Sequence, residues 1–377
     1  MDDRAKHDLE GEKILKTCPP LPADLGPPQS RPEIYTQTMD EIPEGRVEWL
    51  VQPWFPRGMI TAIHGDPGVG KSAMITDLAA RISAGAEMPT GAKVTAAPVL
   101  LLIGDDDLKK TVRPRLQAAG ADLRRITILI ERHEFDDEGS YEKARPISLI
   151  RDLPLIKQII LKTRAELLVV DPLLAFFGAE RDTNSVSDVA EAMYHLKILA
   201  EETNVAILLN TWNSKSSAGK ALAKLMGSQA FSGVARVAFL VEEHPETDGL
   251  IVFACSKMNV TKKPTSQTFR IMGTRVPSEA FGEVDTAAVE WAGATDLRAD
   301  ELGNAKQTTL AAQAESFVRG LLRDGSKPFT EVMVAAEEAG IGRGALDGLK
   351  RTRRVVVTRT QDFPAKTFWA LPTTGQG

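Results

Sequence analysis

Residues 65–72 read Gly65-Asp66-Pro67-Gly68-Val69-Gly70-Lys71-Ser72, which fits G-x-x-x-x-G-K-[S/T] at each fixed position. The spacing carries a chemistry. Glycines let the backbone curl so that its amides point inward at phosphate, and the lysine reaches the β and γ phosphates. The serine hydroxyl is placed for Mg2+, and the helix that opens behind it adds its dipole. Residues Gly65 to Ala73 are the expected cradle of a nucleoside triphosphate, ATP with Mg2+. The glycines fall as G-x-x-G-x-G before Lys-Ser, so the dinucleotide fingerprint does not fit.

Two acidic positions could complete such a site. The run "AELLVVDP" ends at Asp171, about a hundred residues further on. A carboxylate at that strand end holds Mg2+ through water, opposite Ser72; an aspartate before Pro172 is also an ordinary way to end a strand. The stretch "LLLIGDDDLKKTVRPRL" ends an apolar run in Asp105, Asp106 and Asp107, which reads as a metal site, a base or an acidic turn. His7, His64, His133, His195 and His244 show no metal spacing, and His64 reads as an end-of-strand packing residue. Cys18 and Cys255 are too few for a disulfide framework, so reduced thiols and a cytoplasmic location are expected.

These residues need elements to position them. The motif lies between the apolar run "MITAIHG" and a helical stretch. Similar runs follow: "APVLLLIG", "RRITILI", "AELLVVDP", "NVAILLN", "VARVAFLVEE" and "LIVFACSK". Most lack polar alternation, as strands buried on both faces do, and amphipathic stretches separate them; "SDVAEAMYHLKILAEET", with Ser187 as N-cap, is one. The fold class is therefore α/β, a mainly parallel sheet flanked by helices, over residues 46–293. The proline-rich residues 1–45 read as an extended or disordered arm. The apolar runs are too short to span a bilayer, and the charged start lacks the apolar core of a signal peptide.

Residues 294–308 are polar and read as a linker. Over 309–377 come three helices, the second with Thr330 as N-cap and Gly340 after its end, and then two short strands. This is a small winged helix-turn-helix layout. The net charge of −5 does not mark the whole chain as a nucleic-acid binder, so such contacts would come from local patches. The third helix and its exit carry Arg343, Lys350, Arg351, Arg353 and Arg354, suited to DNA backbone and groove contact. A second patch, Lys215, Lys220 and Lys224, lies in "NSKSSAGKALAKLMGSQ" and could track phosphates.

Together these motifs resemble the RecA-like P-loop ATPases of the RepA type, related to the hexameric replicative helicases of plasmids and phages. The likeness runs from "VEWLVQPWFPRGMITAIHGDPGVGKSAMITDLAARISAG" through "LLVVDPLLAFFGAERDTNSVSDVAEAM" and "GSQAFSGVARVAFLVEE" to "SKMNV", and again at the tail ending "TFWALP". It implies further roles. Members carry A-E-D-D where this chain has Gly104-Asp105-Asp106-Asp107, which puts Asp105 in the place of the water-polarising Glu. Trp212 stands where members have a γ-phosphate-sensing His. Arg236 and Lys257 match residues that reach a neighbouring subunit's nucleotide. The lysine-rich loop would face a ring's central channel and single-stranded DNA, with duplex at the winged helix, in a homo-oligomer, a hexamer or other ring.

Asp105 is one methylene shorter than Glu, which withdraws its carboxylate by about 1–1.5 Å, and a misplacement of about 1 Å can cost about a hundredfold in rate. Trp has one N–H donor and no acceptor, so it cannot fully imitate a neutral His. The expectation is ATP binding with Mg2+ and slow hydrolysis in the absence of DNA or a partner. The alternative class is a nucleotide-gated DNA-binding scaffold, in which ATP drives assembly rather than strand separation.

Overall fold

Strands whose two faces are both covered can be apolar throughout, and the centre of this protein is built from them. The computed structural model describes residues 36–135, 141–177, 186–213, 233–323, 325–352, 354–360 and 365–372. The chain divides into two units, Met1–Arg46 and Val47–Gly377. Residues 1–35 of the expected arm lie outside the described residues. Within the first unit a single turn, Met39–Glu41, is closed by Thr38 N donating to Glu41 Oε2 at 3.0 Å.

In the second unit, β1 (Trp49–Val51) and β2 (Phe55–Pro56) form a small antiparallel pair. The main strands follow as β3 (Ile60–Gly65), β4 (Val99–Ile103) and β5 (Ile126–Leu129); a side hairpin is β6 (Arg132–Phe135) and β7 (Tyr141–Arg145). Then come β8 (Leu167–Asp171), β9 (Ala206–Trp212), β10 (Val237–Glu243), β11 (Ile251–Met258), β12 (Ser266–Ser278) and β13 (Gly282–Thr295). They make a nine-stranded sheet in the order β13-β12-β11-β10-β3-β9-β8-β4-β5. From β10 to β5 the neighbours are parallel, and β11, β12 and β13 add on antiparallel. β3 and β8 are buried along their whole length.

Alternate residues divide the core in two. Val99, Leu101, Val169 and Leu208 face α1 (Lys71–Ala84) and α2 (Arg113–Ala118). Leu100, Leu102, Leu168, Val170 and Leu209 face α3 (Leu153–Thr163) and α4 (Val186–Thr203). Since α4 begins at Val186, Ser187 lies inside the helix rather than capping it. Trp54 fixes the first face, with ring centroids 5.0 Å from Phe253 and 6.1 Å from both Phe239 and Trp291. Trp291 in turn donates Nε1–H to Asp77 Oδ2 of α1 at 2.8 Å.

The sequence reading missed β12 and β13. Beyond Phe269 these strands continue as a ribbon paired to each other. A largely exposed ribbon needs no apolar run, and the glycines, Pro277 and polar residues of β12 and β13 concealed it.

The expected linker at 294–308 is also corrected. It comprises the end of β13 and the opening turns of α5 (Ala299–Leu321), where Arg298 N donates to Glu301 Oε2 at 2.8 Å. Ala299 and Leu302 pack on Leu240, Val252 and Ala254 of the sheet. Further along α5, Ala314 and Val318, with Leu322 just past its end, join a separate core with Val332, Leu346 and Trp369.

That core includes α6 (Phe329–Glu338) and α7 (Arg343–Arg351) and a three-stranded sheet of β14 (Lys327–Pro328), β15 (Val356–Arg359) and β16 (Thr367–Ala370), in the order β14-β16-β15. Helix α6 starts at Phe329 with Pro328 before it, so Thr330 is internal; Gly340 follows its end with φ +70°. Among the described residues no helix is long and apolar enough to cross a membrane.

Candidate nucleotide site

β3 delivers the glycine loop to the carboxyl edge of the parallel strands, where α/β sheets bind their ligands. Gly68 and Gly70 have φ of +82° and +92°, a conformation that strains other residues. Crowding adds to this, firmly at Gly65 where the neighbour is backbone and lightly at Gly70 where it is the end of a flexible side chain. A Cβ on Gly65 would lie 2.2 Å from Val241 O of β10, and one on Gly70 would lie 2.4 Å from Ile271 Cδ1 of the ribbon. The loop is thus gripped between β10 and β12, and α1 begins directly behind it at Lys71.

Lys71 is 4% exposed. Its Nζ donates to Gly65 O at 2.9 Å and Asp66 O at 2.7 Å. Burial lowers its pKa to about 8, against the opposing pull of the Asp171, Asp66 and Glu242 carboxylates. The amine is held inside its own loop by oxygens, the atom type that phosphate would present.

Beside it, Ser72 Oγ donates to Asp171 Oδ1 at 3.2 Å. Asn210 Nδ2 donates to the same carboxylate oxygen and, at 3.4 Å, to Ser72 Oγ. Burial pushes the Asp171 carboxyl above the usual carboxylate range, opposed by the hydrogen bonds from Asn210 and Ser72 and reinforced by the nearby Asp106. A hydroxyl and a buried carboxylate sharing one locus fit a hard divalent cation such as Mg2+, which takes few protein ligands and completes its shell with water and phosphate. Asn210 Oδ1 is buried and finds no hydrogen-bond partner among the described residues. The signal of Asn210 in the sequence is that it interrupts an apolar strand.

The three aspartates separate. Gly104 N donates to Asp171 O at 2.9 Å, which brings the end of β4 beside β8. A Cβ on Gly104 would meet Ala175 Cβ at 2.5 Å, which accounts for glycine there. Asp105 follows, exposed at the same sheet edge as the loop. Asp106 pairs with Arg115 Nη1 at 2.8 Å. Asp107 accepts from Lys109 N at 2.8 Å and Lys110 N at 2.7 Å, and these backbone bonds hold its carboxyl below the ordinary range. Asp107 is therefore a cap, and of the three only Asp105 stands at the strand end unoccupied by those two structural tasks.

Trp212 ends β9 opposite Gly65. The next residue, Asn213, donates Nδ2–H to Asp66 Oδ1 at 2.9 Å, and its Oδ1 lies 3.0 Å from His64 Nδ1. Arg236 and Lys257 lie elsewhere. Arg236 N donates to Ile60 O at 3.1 Å, at the start of β3, and Lys257 pairs with Ala238 across β10 and β11. Burial, and next the charge of Arg236, lowers the pKa of Lys257, so the two cations share one field. Arg236 thus lies roughly 16 Å along β3 from the loop, while Lys257, level with Ala62 through Ala238, lies roughly 10 Å along it.

Lys215, Lys220, Lys224 and Arg353 lie outside the described residues. On α7, Arg343, Lys350 and Arg351 are exposed, while Leu346 and Leu349 fill the core. Arg354 is tied to Glu315 of α5 at 3.1 Å.

A mostly parallel sheet with helices on both faces, a glycine loop opening a helix and a Ser–Asp pair beside it define a P-loop nucleotide-binding protein. Residues 30–218, half of the chain, match the family model described as AAA domain, and the chain belongs to that family, the AAA_25 group of P-loop ATPases. The match takes in the loop, Asp105, Asp171 and Trp212, and ends before Arg236. No curated protein matches the chain.

Lys71 gives a pH signature. With its pKa lowered to about 8, the free protein loses this charge as pH rises past that value. A bound triphosphate favours the charged amine and returns the proton. ATP affinity is therefore expected to weaken above about pH 8, with net proton uptake on binding near pH 8.5 that Lys71→Met abolishes. Calorimetry in buffers of different ionisation enthalpy measures it; a buffer-independent heat would contradict it.

Proposed function

We propose that this protein is a Mg2+-dependent, RecA-like ATPase of the RepA type that assembles as a ring, a hexamer or a ring of another size, and acts on DNA in a helicase-like or replication-associated role in the cytoplasm. One observation carries the reading: Arg236 stands at the edge of the sheet opposite the phosphate loop, with the charge of Lys257, level with the middle of β3, close to it. Paired cations there serve a neighbour's nucleotide in a heterologous, ring-closing interface. In such a ring the loop segment with Lys215, Lys220 and Lys224 faces single-stranded DNA in the channel. The helices α5 to α7 with β14 to β16 are read as a winged helix for duplex, and residues 46–293 as the ATPase domain.

Backbone amides of residues 66–73 and Lys71 would hold the phosphates, with Ser72 and Asp171 holding Mg2+. The metal, when bound, neutralises charge on the β and γ phosphates. Asp105 takes the proton of the attacking water. Its short reach and the absence of an acceptor at Trp212 make hydrolysis slow. Those same two departures favour the second reading, a nucleotide-gated DNA-binding scaffold. Strand displacement that occurs with ATP and not with a non-hydrolysable analogue would select the motor.

Mixing tests the shared site. Lys71→Ala and Arg236→Ala chains are each expected to lose about a hundredfold or more in turnover. Mixed equally, they should regain roughly a quarter of the wild-type rate, because intact loop meets intact arginine at one interface in four. Failure to recover, or an active Arg236→Ala chain, would count against it. For DNA, replacing Arg343, Lys350 and Arg351 together by Ala should weaken duplex binding at least about tenfold and flatten the salt slope by about 3. Unchanged affinity would remove the winged helix from DNA binding.

A further inference from the structure

His64 is wholly buried in β3, a strand otherwise filled with Ile60, Thr61, Ala62 and Ile63. A buried imidazole is costly unless its nitrogens are satisfied, and both are engaged here. Nδ1 lies 3.0 Å from Asn213 Oδ1, and Nε2 lies 2.9 Å from Ser256 Oγ. The chemistry of the partners fixes the proton. Asn213 Nδ2 donates to the Asp66 carboxylate, so Asn213 Oδ1 is an acceptor and His64 Nδ1 must be the donor. In the neutral ring Nε2 then accepts from the Ser256 hydroxyl. The result is a directed chain, Ser256 to His64 to Asn213 to Asp66.

The chain joins places that the backbone ladder does not. β3 and β9 pair as far as Gly65 and Trp212. Past that point Asn213 N reaches Gly65 O at 3.3 Å, a long contact. Gly65 O and Asp66 O are the two carbonyls that hold Lys71. When Lys71 turns to a phosphate it releases both, and the grip of Asn213 on Asp66 remains to hold this side of the loop. At the far end, the β10–β11 register shifts between Ala238 and Phe239, placing Ser256 at an irregularity next to Lys257; such bulges re-aim side chains.

We propose that His64 is a positioning residue for ATP hydrolysis, which holds Asn213 against Asp66 and so fixes the end of β9 to the phosphate loop. The proposal rests on the ATPase reading above. Phosphate binding is made by the loop amides and Lys71, so removing His64 should disturb the geometry of the reaction more than affinity for ATP.

Three variants test it, using the full chain, ATP, Mg2+ and single-stranded DNA. An Asn side-chain amide occupies the position of imidazole Nδ1, whereas a Gln amide occupies that of Nε2. His64→Leu is expected to lower kcat about tenfold or more with KM changed by less than about threefold. His64→Asn should recover to within about threefold of wild type, and His64→Gln should not, because it reaches Ser256 and not Asn213. Asn213→Leu should add nothing further to His64→Leu, since both break one chain. If His64→Leu fails to fold, the contrast between Asn and Gln still decides. Equal behaviour of these two variants, or a rise in KM in place of the fall in kcat, would overturn the proposal. A wild-type chain that binds no ATP would overturn the ATPase reading itself, and this proposal with it.

Discussion

The Lys71 ammonium is almost fully buried among two carbonyl oxygens and the carboxylates of Asp66, Asp171 and Glu242. Taking an ion out of water costs roughly several kcal/mol even after relaxation, so its neighbourhood has to be arranged for it. The glycines make the arrangement reachable: Gly65 allows β10 to pass within contact of the loop, and Gly70 admits Ile271 from the ribbon. The same edge collects Ser72, Asp171 and Asn210 into one hydrogen-bonded group. A carboxylate whose ionisation is opposed by burial gains a partner when a cation arrives, so the site is electrostatically prepared for a metal–triphosphate pair.

How much of this the sequence reveals depends on whether one residue type alone can do a job. The phosphate loop is legible because left-handed backbone, amide donors, a long cation and a hydroxyl must come in that order. The buried strands are legible because parallel strands covered on both faces are apolar without alternation. The ribbon of β12 and β13 is not, since half-exposed strands with glycine and proline look like loop. Nor is the start of α5, where Ala299 and Leu302 are the described side chains buried on the sheet.

The site shows the same division. Asp105, Asp106 and Asp107 are adjacent in sequence and identical in type, and only their surroundings tell strand end from ion pair and cap. His64 read as a packing residue; its two partners come from positions 213 and 256, and no local pattern joins them. Asn210 and Asn213 look equivalent in "LLNTWN", yet one serves the Ser72–Asp171 pair and the other the loop. Polar networks become legible only when the sheet order is known.

The sheet order also bears most directly on the proposed assembly. β10 parallel to β3 and β11 antiparallel to β10 put Arg236 at the far end of the strand that carries the loop and Lys257 level with its middle. In the proposed ring, a second copy of the chain would complete the phosphate site. The most direct measurement is the mass in solution of the protein with Mg2+ and a non-hydrolysable ATP analogue, compared with nucleotide-free protein. The account requires nucleotide to convert smaller species into a closed multimer. A chain that saturates with nucleotide and stays monomeric would contradict it.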